Sequence, residues 1–122
     1  MRVKDLIANK TVEKAAIDFV INYYRSKGYE VKSVELDKIG YDLECIKNRS
    51  RLHIEVKGRS NGDTRVILTS GEFQAALVDS NWRLVIVTDP QSKTPKRESF
   101  RPHEMSETFI LDPVAYRLIP WG

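Results

Sequence analysis

The sequence predicts one α/β domain in which a mixed β-sheet lies between helices. Three observations predict it: a helical apolar period near the start, short alternating segments in the middle, and a continuous apolar run beyond a second helix start. A chain of 122 residues with 41% hydrophobic residues has material for one core, so residues 1–122 are expected to form a single domain.

The first element is a helix over residues 11–27. Val12, Ala16, Phe19, Val20 and Tyr23 share a face, opposite a polar stripe of Lys14, Asp18, Asn22 and Arg25. Gly28 is the expected stop. Residues 29–36, 41–46 and 52–57 read as strands, and a short strand over 65–68 follows the Asn61-Gly62 turn signal. Thr69 and Glu72 have the spacing of a capping box, which opens a second helix burying Phe73, Ala76 and Leu77. Residues 83–89, RLVIVTD, form the uninterrupted apolar run that a strand covered on both faces needs. Residues 89–107 read as a long loop, and Trp82 and Trp121 as packing residues.

The stretch GYDLECIKNRSRLHIEVKGRS, residues 40–60, carries the chemistry. With Asn48-Arg49 at the turn, Tyr41 lies opposite Val56, Leu43 opposite Ile54 and Cys45 opposite Leu52, which makes one face apolar. The other face sets Asp42 opposite Glu55, Glu44 opposite His53, and Lys57 opposite Gly40. Two carboxylates facing each other on a sheet repel and raise each other's pKa. A divalent cation reverses that sign, because Mg²⁺ or Mn²⁺ needs oxygen ligands aimed at one point. Lys57, two residues beyond Glu55 on the same face, can then stabilise charge on a phosphate. The plainer reading is a solvated polar strand face with an incidental Glu–Lys contact.

GYDLEC followed by HIEVKGRS resembles motifs II and III of the PD-(D/E)xK nuclease superfamily. With VILTSGEFQAAL, RLVIVTDP and ILDP added, the string from about Val12 to Pro113 looks like the family named for the C-terminal domain of the plant protein NO VEIN. The resemblance implies a restriction-endonuclease-like core of helix, three strands, helix and strand. It also implies a Mg²⁺- or Mn²⁺-dependent DNA endonuclease in a restriction, defence or repair setting. Asp42 and Glu55 would be metal ligands, the Val56 carbonyl a third, and Lys57 the catalytic lysine; Tyr41 replaces the proline often found before the aspartate. Glu13 is either the additional helix acid that the superfamily often uses or a first-turn residue favoured by the helix dipole. The alternatives are an inactive nuclease-like DNA-binding or assembly module and a Holliday-junction resolvase.

Other candidates are weaker. His53 is a general base or a pair member with Glu44, and Gln74 faces the substrate or solvent. Arg59 and Arg65 adjoin the site, and Lys93, Lys96, Arg97 and Arg101, with Phe100 among them, form a basic stretch that either grips a phosphate backbone or is solvated. The formal charge of +3 suits DNA without establishing it. Targeting is expected to come from a homodimer or from a parent or partner protein such as a helicase-like motor. No apolar run approaches the roughly 20 residues that cross a bilayer, no signal peptide opens the chain, and a cytoplasmic location is expected. Cys45 is the only cysteine, so an internal disulfide is excluded and a thiol-based metal centre is not expected.

Overall fold

The computed structural model describes residues 3–60, 62–63, 65–110 and 118–121, with side chains from residue 10 onward. The elements are α1 (Val3–Ser26), β1 (Glu30–Ser33), a 3₁₀ turn (Glu35–Asp37), β2 (Leu43–Lys47), β3 (Ser50–Arg59), α2 (Ser70–Val78), β4 (Trp82–Thr88), β5 (Lys96–Phe100) and α3 (Pro102–Thr108). The five strands form one mixed sheet in chain order; β3 and β4 run parallel and the other neighbours antiparallel. α2 makes the crossover that a parallel pair requires. This α/β arrangement is compatible with a restriction-endonuclease-like core, as the sequence predicts.

α1 begins well before residue 11, because nothing in residues 3–10 breaks a helix. It ends as expected: Gly28 has φ +90°, its N–H bonds to the Arg25 carbonyl at 3.0 Å, and the Tyr29 N–H reaches the Tyr24 carbonyl at 3.1 Å. Those two bonds form a Schellman stop. The buried line is Ala16, Ile17, Val20 and Tyr24, rotated from the predicted face, so that Phe19 and Tyr23 are only half-buried. These side chains pack on Leu43, Cys45, Ile54, Val56, Val85 and Val87. Gly58 lets the helix come close, since a Cβ there would lie 3.0 Å from the Ala16 Cβ.

The opposite face of the sheet is also covered. Trp82, Leu84, Ile86 and Phe100 pack there against Ala76 of α2 and Met105 of α3. β4 is therefore buried on both faces, and each fully buried apolar side chain stabilises the fold by roughly 1.5–3 kcal/mol. Among the described residues no helix is long and apolar enough to cross a membrane.

The hairpin register is the predicted one: Leu43 pairs with Ile54, Glu44 with His53 and Cys45 with Leu52, around a turn where Asn48 takes φ 54°. The pairing changes beyond Leu43. The Asp42 N–H bonds to the Ile54 carbonyl at 2.8 Å, so Asp42 and Leu43 both face Ile54, as in a β-bulge. The extra residue reverses the parity of what precedes it. Tyr41 therefore leaves the expected apolar partner Val56 and packs on the α2 face, its ring stacked on His53 at 4.4 Å.

Three further expectations are corrected. Residues 65–68 form no strand, although the turn before them exists, with Gly62 at φ +93° and the Asp63 N–H bonded to the Ser60 carbonyl; Asn61 lies outside the described residues. Residues 89–107 are not one loop: Lys96–Phe100 pairs with β4, and α3 follows with Pro102 in its first turn. The β5 segment KRESF has too little apolar alternation to announce a strand. Leu77 and Trp121 are exposed, while Trp82 is buried and its indole N–H bonds to the Gly40 carbonyl at 2.9 Å. Of the late ILDP string, residues 111–113 lie outside the described residues.

Candidate metal and catalytic site

His53, Glu55 and Lys57 alternate along β3 on the face beneath α2. Apolar neighbours Leu84 and Ile86 flank Glu55 and Lys57 on β4, so this polar stripe crosses a dry part of the sheet. Glu55 is 2% exposed and is the buried charged residue among those described. The Lys57 Nζ stands 3.3 Å from Glu55 Oε2 and 2.9 Å from Glu72 Oε1.

Asp42 reaches the site from the bulge. Its Oδ2 accepts the Val56 N–H at 2.8 Å, a bond that the displaced strand end would otherwise leave open. A strand residue's N–H and C=O point to the same side, so the Val56 carbonyl is directed to the β2 side of β3. The sequence expects Asp42 directly opposite Glu55; the bulge moves its backbone partner to Ile54, yet the two carboxylates remain within strong electrostatic reach.

The electrostatics follow from that crowding. Burial, followed by the Asp42 charge, pushes the Glu55 carboxyl up to about 9, with Lys57 working against the rise. Burial raises Asp42 to about 6; the Val56 N–H lowers it, and the Glu35 charge adds to the rise. For Lys57, burial favours the neutral amine, but Glu55 and Glu72 outweigh it and hold the pKa above its ordinary value. Glu55 therefore keeps its proton at neutral pH in the bare fold, and a positive charge placed beside Glu55 and Asp42 would favour their ionised forms. Among the described residues no three His, Cys, Asp or Glu side chains form a ready cage. The groups brought together are oxygen donors, the Asp42 and Glu55 carboxylates, of the kind that hard divalent cations prefer.

The remaining predicted residues scatter. Glu13 is exposed and well inside α1, which removes the first-turn dipole reading; it lines a shallow cleft with Lys10, Lys14 and Glu35. Gln74 is exposed on α2. Arg59 bonds to the Thr88 hydroxyl at 3.2 Å and pairs with Glu98 at 3.4 Å. Arg65 is 91% exposed beside Asp63. Lys93, Lys96 and Arg101 are exposed, whereas Arg97 lies 3.8 Å over the Tyr23 ring and bonds to its hydroxyl. Phe100 is buried in the core and is no stacking platform.

Two residues at the site escape the sequence reading. Glu72 enters it only as a helix cap, yet it also binds Lys57. Asp79, at the other end of α2, bonds to His53 Nδ1 at 2.5 Å, while Glu44, the partner that the sequence expects, stands 3.7 Å from Nε2 without a hydrogen bond. A signal for Glu72 did exist. A crossover helix begins near the end of the strand before it, which brings its first turn over Lys57 near the end of β3.

Comparison with curated proteins gives no match. The sequence profile of the family described as Protein NO VEIN, C-terminal, matches residues 12–100, a span that runs from the contact face of α1 through Asp42, Glu55, Lys57 and Glu72 to the end of β5. The chain belongs to the NO VEIN C-terminal family.

Proposed function

We propose that this chain is a metal-dependent endonuclease domain that hydrolyses phosphodiester bonds in DNA. The observation that carries the reading is Glu55: a carboxylate 2% exposed, beside a second acid, with the Lys57 ammonium at 3.3 Å. Ionising Glu55 in this place opposes folding, and a bound cation would offset that cost. Asp42, Glu55 and the Val56 carbonyl would hold Mg²⁺ or Mn²⁺, which when bound polarises a phosphate oxygen and makes water a better nucleophile. Asp42 and Glu55 fix the place of reaction. Lys57 supplies a positive charge next to the phosphorus, where negative charge grows as water adds and the ester oxygen leaves. Apolar Leu84 and Ile86 keep bulk water from screening that charge.

Arg65, Lys93, Lys96 and Arg101 are exposed and open to phosphate contacts, whereas Arg97 is already committed to Tyr23. A homodimer, or a motor-like parent or partner protein, would supply targeting.

A plasmid-nicking assay with Mg²⁺, Mn²⁺ or EDTA tests the reading, joined to Mn²⁺ calorimetry on single variants. Glu55→Ala and Asp42→Ala are expected to lose metal binding and cleavage together. Lys57→Ala is expected to keep the metal and lose about 100- to 1000-fold in rate. A wild-type chain that binds no Mn²⁺ and cuts nothing would instead favour an inactive, nuclease-like module.

A further inference from the structure

Lys57 is held by two carboxylates from different elements, and they would respond differently to an ion. Glu55 lies on the same strand and is a ligand in the proposed reaction, so a bound cation draws off its charge and weakens its pull on the ammonium. Glu72 lies on α2, outside the proposed ligand set, and its contact with Lys57 does not depend on the ion. Its Oε1, 2.9 Å from the Lys57 Nζ, also accepts the Thr69 N–H at 2.9 Å, while the Glu72 N–H bonds to the Thr69 hydroxyl at 3.2 Å. The reciprocal cap therefore fixes where this carboxylate stands. Both side chains are sheltered, at 18% and 17% exposure.

Lysine needs such a holder. Its ammonium ends a flexible four-carbon stem and has no planar fork to orient it. The small reach between α2 and the sheet makes the contact short: Gly40 beneath the helix leaves no room for a Cβ, which would stand 2.9 Å from the Gly71 carbonyl oxygen. The first turn of α2 is thus seated on the strand end that leads to Asp42, and Glu72 goes with it.

We propose that Glu72 is a positioning residue for Lys57, setting the ammonium beside the reacting phosphate when Glu55 is engaged by the metal. The inference rests on the nuclease reading of Asp42, Glu55 and Lys57. It adds the N-terminal turn of α2 to the working parts of the site, and it gives the capping box a role beyond helix stability.

Glu72→Gln separates the two roles, because glutamine can serve at the same position of a capping box but carries no charge. With a synthetic DNA duplex and Mn²⁺, the variant is expected to keep its melting temperature, Mn²⁺ affinity and KM, and to lose about 10- to 100-fold in kcat. Glu72→Asp, which keeps the charge, is expected to recover part of that loss. A second readout needs neither metal nor cleavage: acetylation of Lys57 by acetic anhydride, followed by mass spectrometry of the 122-residue chain. Loss of the charged hydrogen bond is expected to speed Lys57 acetylation roughly tenfold in Glu72→Gln. A wild-type kcat, a raised kcat, or unchanged Lys57 acetylation in Glu72→Gln would overturn the assignment. A wild-type protein that does not cleave DNA would overturn the nuclease reading and the catalytic role of Glu72 with it. The acetylation rates would then show whether Glu72 nevertheless holds the lysine.

Discussion

Glu55 concentrates the physical argument at the scale of one residue. In the folded chain its proton is kept up to about pH 9, whereas in an unfolded chain it leaves near 4.5, so between those values the folded state binds more protons. Stability contributed by the neutral acid is full below 4.5 and is lost as pH rises towards 9, by up to about 1.4 kcal/mol per pH unit. Asp42, raised to about 6, adds a smaller loss of the same sign. In EDTA the melting temperature is therefore expected to fall between pH 5 and pH 8, and Glu55→Gln, which removes the ionisable group, is expected to flatten that fall and be the more stable protein at pH 8. Thermal denaturation at the two pH values checks it; equal slopes in both proteins would mean that burial of Glu55 has no electrostatic cost. Mn²⁺ is expected to stabilise the wild type at pH 8 and to leave Glu55→Gln unmoved. At this scale much was legible: Glu55 and Lys57 are named by their alternation along one strand and Asp42 by the hairpin register that sets it near Glu55, although the bulge shifts its backbone partner to Ile54. Glu72 was legible only through the crossover rule that sets the first turn of α2 over the end of β3, and Asp79 was not, because its place beside His53 at the other end of α2 is a tertiary fact.

Among the elements, the hairpin shows what a sequence pattern can and cannot carry. The register followed from a two-residue turn and strict alternation, both local properties, and the structure has it from Leu43 to Lys47. The bulge at Asp42 did not follow. It depends on a backbone bond to Ile54 and on the Asp42 side chain taking the Val56 N–H, and it sends Tyr41 to the other face. β5 was equally hidden, since an edge strand with one buried side chain owes its existence to hydrogen bonds with β4. Gly40 ties the bulge to α2. It has φ +92°, and a Cβ there would lie 2.6 Å from the Ala75 Cβ, so both backbone strain and a steric clash oppose any side chain. Gly40→Ala is expected to cost about 1–3 kcal/mol and to weaken Mn²⁺ binding, because the strained segment runs directly into Asp42. Urea denaturation and calorimetry check it, and wild-type values in both would mean that α2 does not rest on this glycine.

At the scale of the whole molecule, the arrangement gathers one cluster of candidate residues: the C-terminal part of β3 supplies Glu55 and Lys57, and the bulge before β2 supplies Asp42. The fold class was legible because a helical period, a capping box and a doubly covered strand all pointed to the same layers. On the proposed nuclease reading, one such cluster would attack one strand of a duplex at a time, so cutting both strands would require a second copy or a partner that presents the other strand. The sheet edges offer little help in recruiting that copy: β1 has four residues with Glu30 and Lys32 exposed, and β5 exposes Lys96 and Glu98. Short, charged edges resist strand-to-strand docking. A net charge of +3 is also small for tight, independent binding to DNA. If the nuclease reading holds, the isolated chain is expected to nick supercoiled plasmid slowly and with little sequence preference, and linear product is expected to appear only after nicked circles accumulate. Sedimentation at the assay concentration decides how to read the kinetics. Double-strand cleavage rising with the square of protein concentration would identify a transient dimer, whereas a monomer that linearises plasmid without a nicked intermediate would refute the single-centre account.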